Sequence, residues 1–337
     1  MSTVDEVTAG AGAPFGRKGL EPRRVASRHG WTIGVYVLLG ILLAIYIAVA
    51  PIFQSFDLAS IVIGGLALVF AAMAQGVIVI SGGIDLSLGV IVAVINVIAA
   101  SLMETASFAT SLLIAAGLMA LGVVIGAING GLIVLSGVPD IVVTLAMSFV
   151  WGGVALLILK TPGGGAPVDF QALGTGTFVS AWIPSGAVII AIVLAAVWLP
   201  LRWRRPGLAI YAVGSNRERA YLSGVSVART RVLAYAVGGF FAAMGGLAAT
   251  ATTGIGTPYA GNFITLNSVA AVVLGGVSLA GGKGGLVGPV AAAFCLTLVP
   301  GIMVFQGIDP NYGQVVQGAL IVVVVMLGGL LLLRRRA

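Results

Sequence analysis

Apolar runs of about twenty residues recur along the whole chain, separated by short polar or glycine-rich breaks. A helix needs about 20 apolar residues to cross the roughly 30 Å hydrocarbon core of a bilayer. The pattern therefore predicts an all-α polytopic membrane protein with about ten transmembrane helices and Gly/Pro-interrupted hairpins between them. The predicted spans are residues 31–50, 59–80, 86–103, 111–135, 140–159, 184–201, 232–251, 264–280, 286–306 and 314–333.

The composition fits this pattern and excludes a soluble domain. Of the 337 residues, 59% are hydrophobic and only 8% are charged. Glycine occupies 50 positions, and small residues let transmembrane helices approach closely where water supplies no driving force for their association. We therefore expect one tightly packed transmembrane domain over residues 31–333.

The positive charges are distributed unevenly between the two sides of the predicted topology. Every Lys and Arg except Lys160 falls in residues 1–30, in the loop at 202–231, at Lys283 or in residues 334–337. Loops rich in Lys and Arg are retained in the cytoplasm. We therefore predict cytoplasmic N- and C-terminal tails and a cytoplasmic 202–231 loop. The net charge is +7. The positive residues flank the spans and form no single patch, which argues against nucleic-acid binding.

Few residues could carry catalytic or metal chemistry. The chain has one cysteine, Cys295, and one histidine, His29, so a disulfide framework or a Cys/His metal site cannot form within it. The spans contain no paired carboxylates, and we expect no enzymatic activity. The glycine-rich segment around Lys283 is no phosphate-binding loop, because Val277 and Gly284 occupy positions that the Walker pattern requires to be Gly and Ser or Thr.

The loop at 202–231 contains a predicted short helix. Ser215 and Glu218 have the spacing of a capping box, and Gly224 is suited to end the helix in the left-handed conformation. Such a helix, over residues 216–222, exposes Tyr221 and Leu222 among charges. The loop could serve only to fix topology, as basic loops do. A topology signal needs no capped helix, however, and a docking role would explain one.

Two acidic residues lie at the predicted ends of spans. Asp85 follows Gly82-Gly83 between the second and third spans, and Asp140 follows Pro139 at the start of the fifth. Each could cap a helix N-terminus, where the helix dipole favours a carboxylate. For Asp85 the alternative is a place in a translocation path, because glycine-interrupted helices line such paths in transporters.

Two further breaks in the apolar pattern have open interpretations. Glycines at 281, 282 and 288 repeat the spacing of those at 82, 83 and 89, which hints at two related halves. The segment at 161–184 is the longest predicted external loop and contains neither Lys nor Arg. It is either a flexible surface loop or a landing site for an extracytoplasmic partner.

Polar residues within or beside the spans must face protein or a water-filled path, because hydrocarbon satisfies no hydrogen bonds. They either bond neighbouring helices or line a route for an uncharged polyol. Gln75 and Asn96 are the leading candidates for the route. The full set of path candidates is Gln75, Asp85, Ser87, Asn96, Asn129, Thr144 and Asn267.

Three segments of the chain resemble one family. GGIDLSLG at 82–89, GVPDIVVTL at 137–145 and NRERAYLSGV at 216–225 are similar to the permease subunits of bacterial ABC sugar importers of the ribose, xylose and galactose type. Asp140 departs from the family pattern, in which an uncharged residue is more usual. The resemblance implies that the short helix couples the permease to an ATPase, through Asn216, Arg217, Glu218, Ala220, Tyr221, Leu222 and Gly224.

The resemblance also implies a location and a set of partners. It places the chain in the bacterial inner membrane as a multi-pass permease, embedded in membrane lipid and paired with a second permease as a homodimer or heterodimer. An extracytoplasmic binding protein would deliver a monosaccharide or similar polyol. The chain itself would bind no cofactor, since ATP and Mg²⁺ belong to the ATPase subunit. The alternative from another class is an ion-coupled secondary transporter or channel, which normally has titratable residues near midspan.

Overall fold

The computed structural model describes residues 22–261, 263–309, 312, 313, 315–319, 322 and 326, with side chains from Gly30 onward. Helices dominate this part of the chain. They are α1 (Pro22–Val49), α2 (Ser55–Ile80), α3 (Leu88–Met103), α4 (Phe108–Ser136), α5 (Asp140–Ile158), α6 (Val168–Thr175), α7 (Ser185–Val193), α8 (Leu199–Trp203), α9 (Arg205–Ser215), α10 (Arg217–Leu222), α11 (Val227–Thr253), α12 (Ile264–Leu274) and α13 (Val287–Phe305). The strands of this part are β1 (Thr177–Phe178) and β2 (Ser180–Pro184), which form one antiparallel hairpin.

Seven helical segments in the described residues are long and apolar enough to cross a membrane. These segments are Gly30–Val49, Ser55–Ile80, Phe108–Ser136, Asp140–Ile158, Ser185–Trp203, Val227–Thr253 and Val287–Phe305. Two more apolar helices, α3 and α12, coincide with predicted spans but have only 16 and 11 residues. At 1.5 Å per residue they extend about 24 and 16 Å, which is short of a hydrocarbon core.

Local sequence explains where several of these helices begin and end. The Ser107 hydroxyl accepts a hydrogen bond from the Thr110 amide at 3.2 Å and so caps the start of α4. Gly137 and Gly254, with φ of 67° and 73°, end α4 and α11 in the left-handed conformation that glycine adopts at low cost. Between α7 and α8, residues 194–198 form a π-helical turn, immediately before Pro200, whose nitrogen cannot donate.

Helices α2 and α11 form the centre of the molecule and are the most buried of the long apolar helices. Glycines allow α11 to pack directly on its neighbours. A Cβ on Gly126 of α4 would collide with the Tyr235 carbonyl, and one on Gly246 of α11 would collide with Ile95 of α3. The glycine-rich composition thus has the packing role that was expected of it. Cys295 is fully buried in α13, as expected of a core residue.

The segment at 161–184 differs from a flexible surface loop. It contains α6 and the β1–β2 hairpin, and its glycines bond to other segments: the Gly163 amide donates to Gly256 O at 2.9 Å, and the Gly165 amide donates to Ala100 O at 2.9 Å. The abundance of glycine and proline suggested irregular chain, but these backbone hydrogen bonds order it.

Three predictions fall wholly or partly outside the described residues. The predicted N-terminal tail at 1–30 overlaps them only from Pro22, where α1 begins inside the predicted tail. The predicted span at 314–333 overlaps them at a few helical positions. The predicted tail at 334–337 lies outside them entirely.

Candidate functional site

The short helix predicted in the 202–231 loop is present as α10, but its cap differs from the prediction. Ser215 ends the preceding helix α9, and its hydroxyl donates to Tyr211 O at 2.8 Å. The cap of α10 is Asn216, whose side-chain oxygen accepts from the Arg219 amide at 2.8 Å. The predicted Ser215–Glu218 capping box is therefore wrong. Asn is as favourable an N-cap residue as Ser, and Ser215 is the last residue of α9.

The end of α10 agrees with the prediction. Gly224 has φ of 80°, its amide donates to Tyr221 O at 2.9 Å, and the Val225 amide donates to Ala220 O at 3.0 Å. This pattern satisfies the last carbonyls of the helix. A side chain at Gly224 would be strained, so glycine is required there.

The two apolar side chains of α10 point away from the protein. Tyr221 is 71% exposed and Leu222 is 75% exposed, whereas Ala220 on the opposite side is buried. Exposed aromatic and aliphatic side chains on a fixed helix are the kind of anchor that carries binding energy at protein interfaces. The helix thus presents an apolar face that no other part of the described chain covers.

Glycines from three separate segments of the chain meet beside α10. Gly214, at the end of α9, lies against Gly82 and Gly281, and a Cβ on Gly214 would collide with Ile80 O. The Gly282 amide donates to that same carbonyl at 2.9 Å. The two hairpins that share a glycine spacing therefore contact each other, with α9 packed between them. We call Gly82, Gly214, Gly281 and Gly282 the glycine junction.

Two side chains fix the glycine junction to the helices around it. Arg217 of α10 donates through Nη2 to Gly82 O at 3.3 Å. Tyr211 of α9 donates to Gly284 O at 2.8 Å, and burial raises the pKa of this phenol. Arg217 is an exposed residue that also makes this bond within the chain.

Asp85 is buried at the base of the first hairpin. Its Oδ1 accepts from the Ser87 amide at 2.7 Å and from the Ser87 hydroxyl at 2.6 Å. Ser87 is the N-cap residue of α3, so Asp85 holds the cap residue and does not itself accept from the first turn. Two further hydrogen bonds extend this network. Asn129 donates to Ser87 Oγ at 2.8 Å, and Trp151 donates to Asn129 Oδ1 at 3.2 Å.

Asp140 has partners that the sequence pattern did not reveal. It is the first residue of α5, as predicted. Its Oδ1 forms an ion pair with Arg231, and its Oδ2 accepts from the Tyr235 hydroxyl at 2.8 Å. Arg231 and Tyr235 both belong to α11. Charge counting assigned Arg231 to topology, although an acid at a span end was itself a signal that a basic partner was needed.

Thr144 links α5 to the hairpin that carries Asp85. Its hydroxyl donates to Asp140 O at 2.9 Å and accepts from the Leu86 amide at 3.0 Å. The candidates Asp85, Ser87, Asn129 and Thr144 are therefore brought together, around residues 84–87.

The remaining path candidates lie apart from this group. Asn96 is bonded through both side-chain atoms: Oδ1 accepts from the Thr257 amide at 2.7 Å, and Nδ2 donates to Thr250 Oγ1 at 2.8 Å. Gln75 is fully buried in α2, and its amide has no partner among the described residues. Asn267 is partly buried near the start of α12.

The two short apolar helices begin side by side. The Gly89 amide of α3 donates to Thr265 Oγ1 of α12 at 3.1 Å. Neither helix can cross a bilayer alone, and irregular segments flank both. Discontinuous helices of this kind line binding sites in transporters. Thr265 was not among the predicted path residues, because one threonine in an apolar run gives no signal of its own.

Within the described residues, no group of three or more His, Cys, Asp or Glu side chains could hold a metal ion. The site chemistry consists of hydroxyls, amides, one buried carboxylate and one ion pair. Such groups can form hydrogen bonds with one another or with a neutral polar molecule.

Comparisons with known proteins agree with this chemistry. The family model described as "Branched-chain amino acid transport system / permease component" matches residues 57–325. Similar proteins include the ribose import permease protein RbsC of Escherichia coli strain K12, 32% identical over 75% of this chain and 79% of RbsC. The galactose/methyl galactoside import permease protein MglC of the same strain is 30% identical over 86% of this chain and 91% of MglC.

A third relative, the probable ABC transporter permease protein YphD of Escherichia coli strain K12, is 34% identical over 90% of this chain and 91% of YphD. No solved structure matches the chain. The family match covers well over half of the chain, and these relatives cover most of it. The chain therefore belongs to this family of multi-pass ABC transporter permease components.

Proposed function

We propose that this permease imports a monosaccharide or a similar polyol as the membrane-spanning subunit of an ABC importer. The names of the relatives support sugar as the substrate class, since two of them import ribose and galactose or methyl galactoside.

The proposed topology has ten spans with both termini in the cytoplasm. The seven long apolar segments and the two short helices α3 and α12 supply nine of these. Residues 314–333 would supply the tenth. Discontinuous helices at α3 and α12 account for the two spans that are too short to cross the bilayer alone.

The observation that carries the coupling role is the position of α10 beside the glycine junction. The helix exposes Tyr221 and Leu222 outward, and through Arg217 it bonds to Gly82 O inward. A partner ATPase that binds the exposed face would thus act on the segment where both hairpins meet. A loop that served topology alone would need neither feature.

The proposed assembly has two permease copies, an ATPase that binds ATP and Mg²⁺, and an extracytoplasmic binding protein that delivers the solute. The ordered external segment at 161–184 is the proposed landing site for that binding protein. The hairpin residues Phe178 and Trp182 are exposed there.

The test is ATP hydrolysis by the complete complex in proteoliposomes. The permease, its ATPase and its binding protein are reconstituted, and a panel of pentoses, hexoses and branched-chain amino acids is added one at a time. We expect one sugar to stimulate hydrolysis and to accumulate in an ATP-dependent way. Stimulation by an amino acid alone would contradict the proposed substrate class. Uptake driven by an ion gradient without ATP would contradict the ABC mechanism and favour a secondary transporter.

A further inference from the structure

An ion pair joins two helices that lie far apart in the chain. Arg231 of α11 and Asp140 of α5 are paired, and their side chains are only 10% and 13% exposed. Removing one partner of such a pair leaves an uncompensated charge in a poorly solvated position, which is strongly unfavourable. The pair therefore holds the starts of α5 and α11 together.

Tyr235 extends the pair to the first hairpin. Its hydroxyl lies 2.8 Å from Asp140 Oδ2 and 3.4 Å from Ile84 O. Thr144, one turn after Asp140, accepts from the Leu86 amide at 3.0 Å. The two oxygens of Asp140 are thus shared between Arg231 and Tyr235, and the hairpin segment that carries Asp85 is bonded to the same cluster.

Arg231 follows α10 closely in the chain. Only residues 223–226 separate α10 from α11, and Arg231 lies about one turn into α11. The linker is hydrogen-bonded to both helices: the Val225 amide donates to Ala220 O at 3.0 Å, and the Thr230 amide donates to Ser226 O at 3.0 Å. Displacement of α10 would therefore pass through this linker to Arg231 and, through the ion pair, to the start of α5.

We propose that Asp140 and Arg231, with Tyr235, are positioning residues that transmit movement of α10 to α5 and to residues 84–87. The inference rests on the proposed function, because it assumes that an ATPase moves α10. It assigns a role to Asp140 that helix capping does not supply. It also gives Arg231 a role beyond topology, to which its charge alone assigned it.

The experiment uses the reconstituted complex with single variants. Asp140→Asn and Arg231→Gln each remove one charge and keep similar shape. Glu104→Gln is the control for the acid, since Glu104 is an exposed residue at the end of α3. Arg229→Gln is the control for the base, since it is an exposed residue two positions from Arg231. Two quantities are measured: co-purification of the ATPase, and the ratio of sugar-stimulated to basal hydrolysis.

We expect the two pair variants to retain the ATPase, because α10 is intact, while their stimulation ratio falls by about fivefold or more, the lower end of ordinary allosteric coupling. The controls should keep the wild-type ratio. The exchanged variant, Asp140→Arg with Arg231→Asp, should recover part of the loss. Pair variants with a wild-type ratio would overturn the inference.

Tyr235→Phe keeps the inference testable if the charge variants fail to assemble. It removes one hydroxyl and retains the buried ring, so we expect normal assembly and a lowered ratio. A wild-type ratio for Tyr235→Phe would overturn the inference. Failure of the proposed function would look different from failure of this inference. If the proposed function is wrong, the wild-type complex itself would show no sugar-stimulated hydrolysis.

Discussion

Arg217 Nη2 lies 3.3 Å from the carbonyl oxygen of Gly82, 135 positions earlier in the chain. This hydrogen bond connects α10 to the first of two hairpins that share a glycine spacing. The second hairpin reaches the same place through Gly282, whose amide donates to Ile80 O. A helix with an exposed apolar face is therefore in direct contact with the point where both hairpins meet, and this relationship underlies the proposed coupling.

Adding one methyl group at the glycine junction should destabilise the protein. Gly214→Ala would place a Cβ against Ile80 O and the Gly282 amide, and backbone atoms there cannot move aside cheaply. We expect a loss of about 1–3 kcal/mol in stability, typical of overpacking, seen as a lowered Tm of the purified protein in detergent.

Gly117→Ala is the matched control for this substitution. Gly117 lies within α4, and a Cβ there would meet no atom of the described residues within 4 Å. Alanine is favoured over glycine inside a helix by about 0.5–1 kcal/mol, so this variant should be as stable as the wild type or more stable. Equal melting temperatures for the two variants would contradict the close approach at the junction.

Variants of Asp85 can distinguish its structural role, which is to hold the N-cap residue Ser87, from a role in transport. Asp85→Asn keeps an Oδ1 acceptor for the Ser87 amide and hydroxyl, so we expect a Tm close to wild type. Asp85→Ala leaves both donors buried without that acceptor, and should cost about 1–3 kcal/mol. The measurements are thermal unfolding and solute uptake on the same preparations. Normal stability with abolished uptake in Asp85→Asn would show that the negative charge itself is needed for transport.

The predicted topology can be checked by labelling in whole cells. In a Cys295→Ala background, cysteines introduced at Thr175 and Ser215 are both at exposed positions. We expect an impermeant maleimide to label the Thr175→Cys variant from outside, and the Ser215→Cys variant only after the cells are permeabilised. The reverse result would invert the topology and remove the cytoplasmic location of α10.

Long apolar runs predicted the seven long helical segments to within a few residues. They did not show that the helices in the predicted spans at 86–103 and 264–280 have only 16 and 11 residues. The predicted span at 140–159 and the observed helix Asp140–Ile158 differ by one residue. The start of α10 was predicted less well, because Ser215 and Asn216 are both good caps and sequence gives no rule for choosing between them. Tertiary packing of α9 against the hairpins decides the choice.

The partners of site residues were beyond sequence reasoning for a different reason. Asp140 and Arg231 lie 91 positions apart, and they come together because α5 and α11 both pack against α3 and α4. The asymmetry of positive charge between the two sides of the membrane accounts for an arginine at position 231 without any partner. Asn96 looked free to bind a solute, but it is bonded to Thr250 and to the Thr257 amide. A polar residue in a span shows that a partner is needed, without showing which one.

The coupling role of α10 is tested by truncating its exposed face. Tyr221→Ala combined with Leu222→Ala removes the two exposed apolar side chains and leaves every arginine in place, so insertion into the membrane should be unchanged. Glu218→Ala combined with Arg219→Ala is the control, because charges at the rim of an interface contribute little.

The most direct measurement is the affinity of the ATPase subunit for the purified permease, with sugar-stimulated hydrolysis measured on the same complexes. We expect the Tyr221/Leu222 variant to bind the ATPase about tenfold more weakly or worse, because losing anchor residues costs at least 1–2 kcal/mol, and to lose stimulated hydrolysis. The Glu218/Arg219 control should stay near wild type. Wild-type affinity and wild-type stimulation in the Tyr221/Leu222 variant would contradict the account that α10 couples this permease to an ATPase.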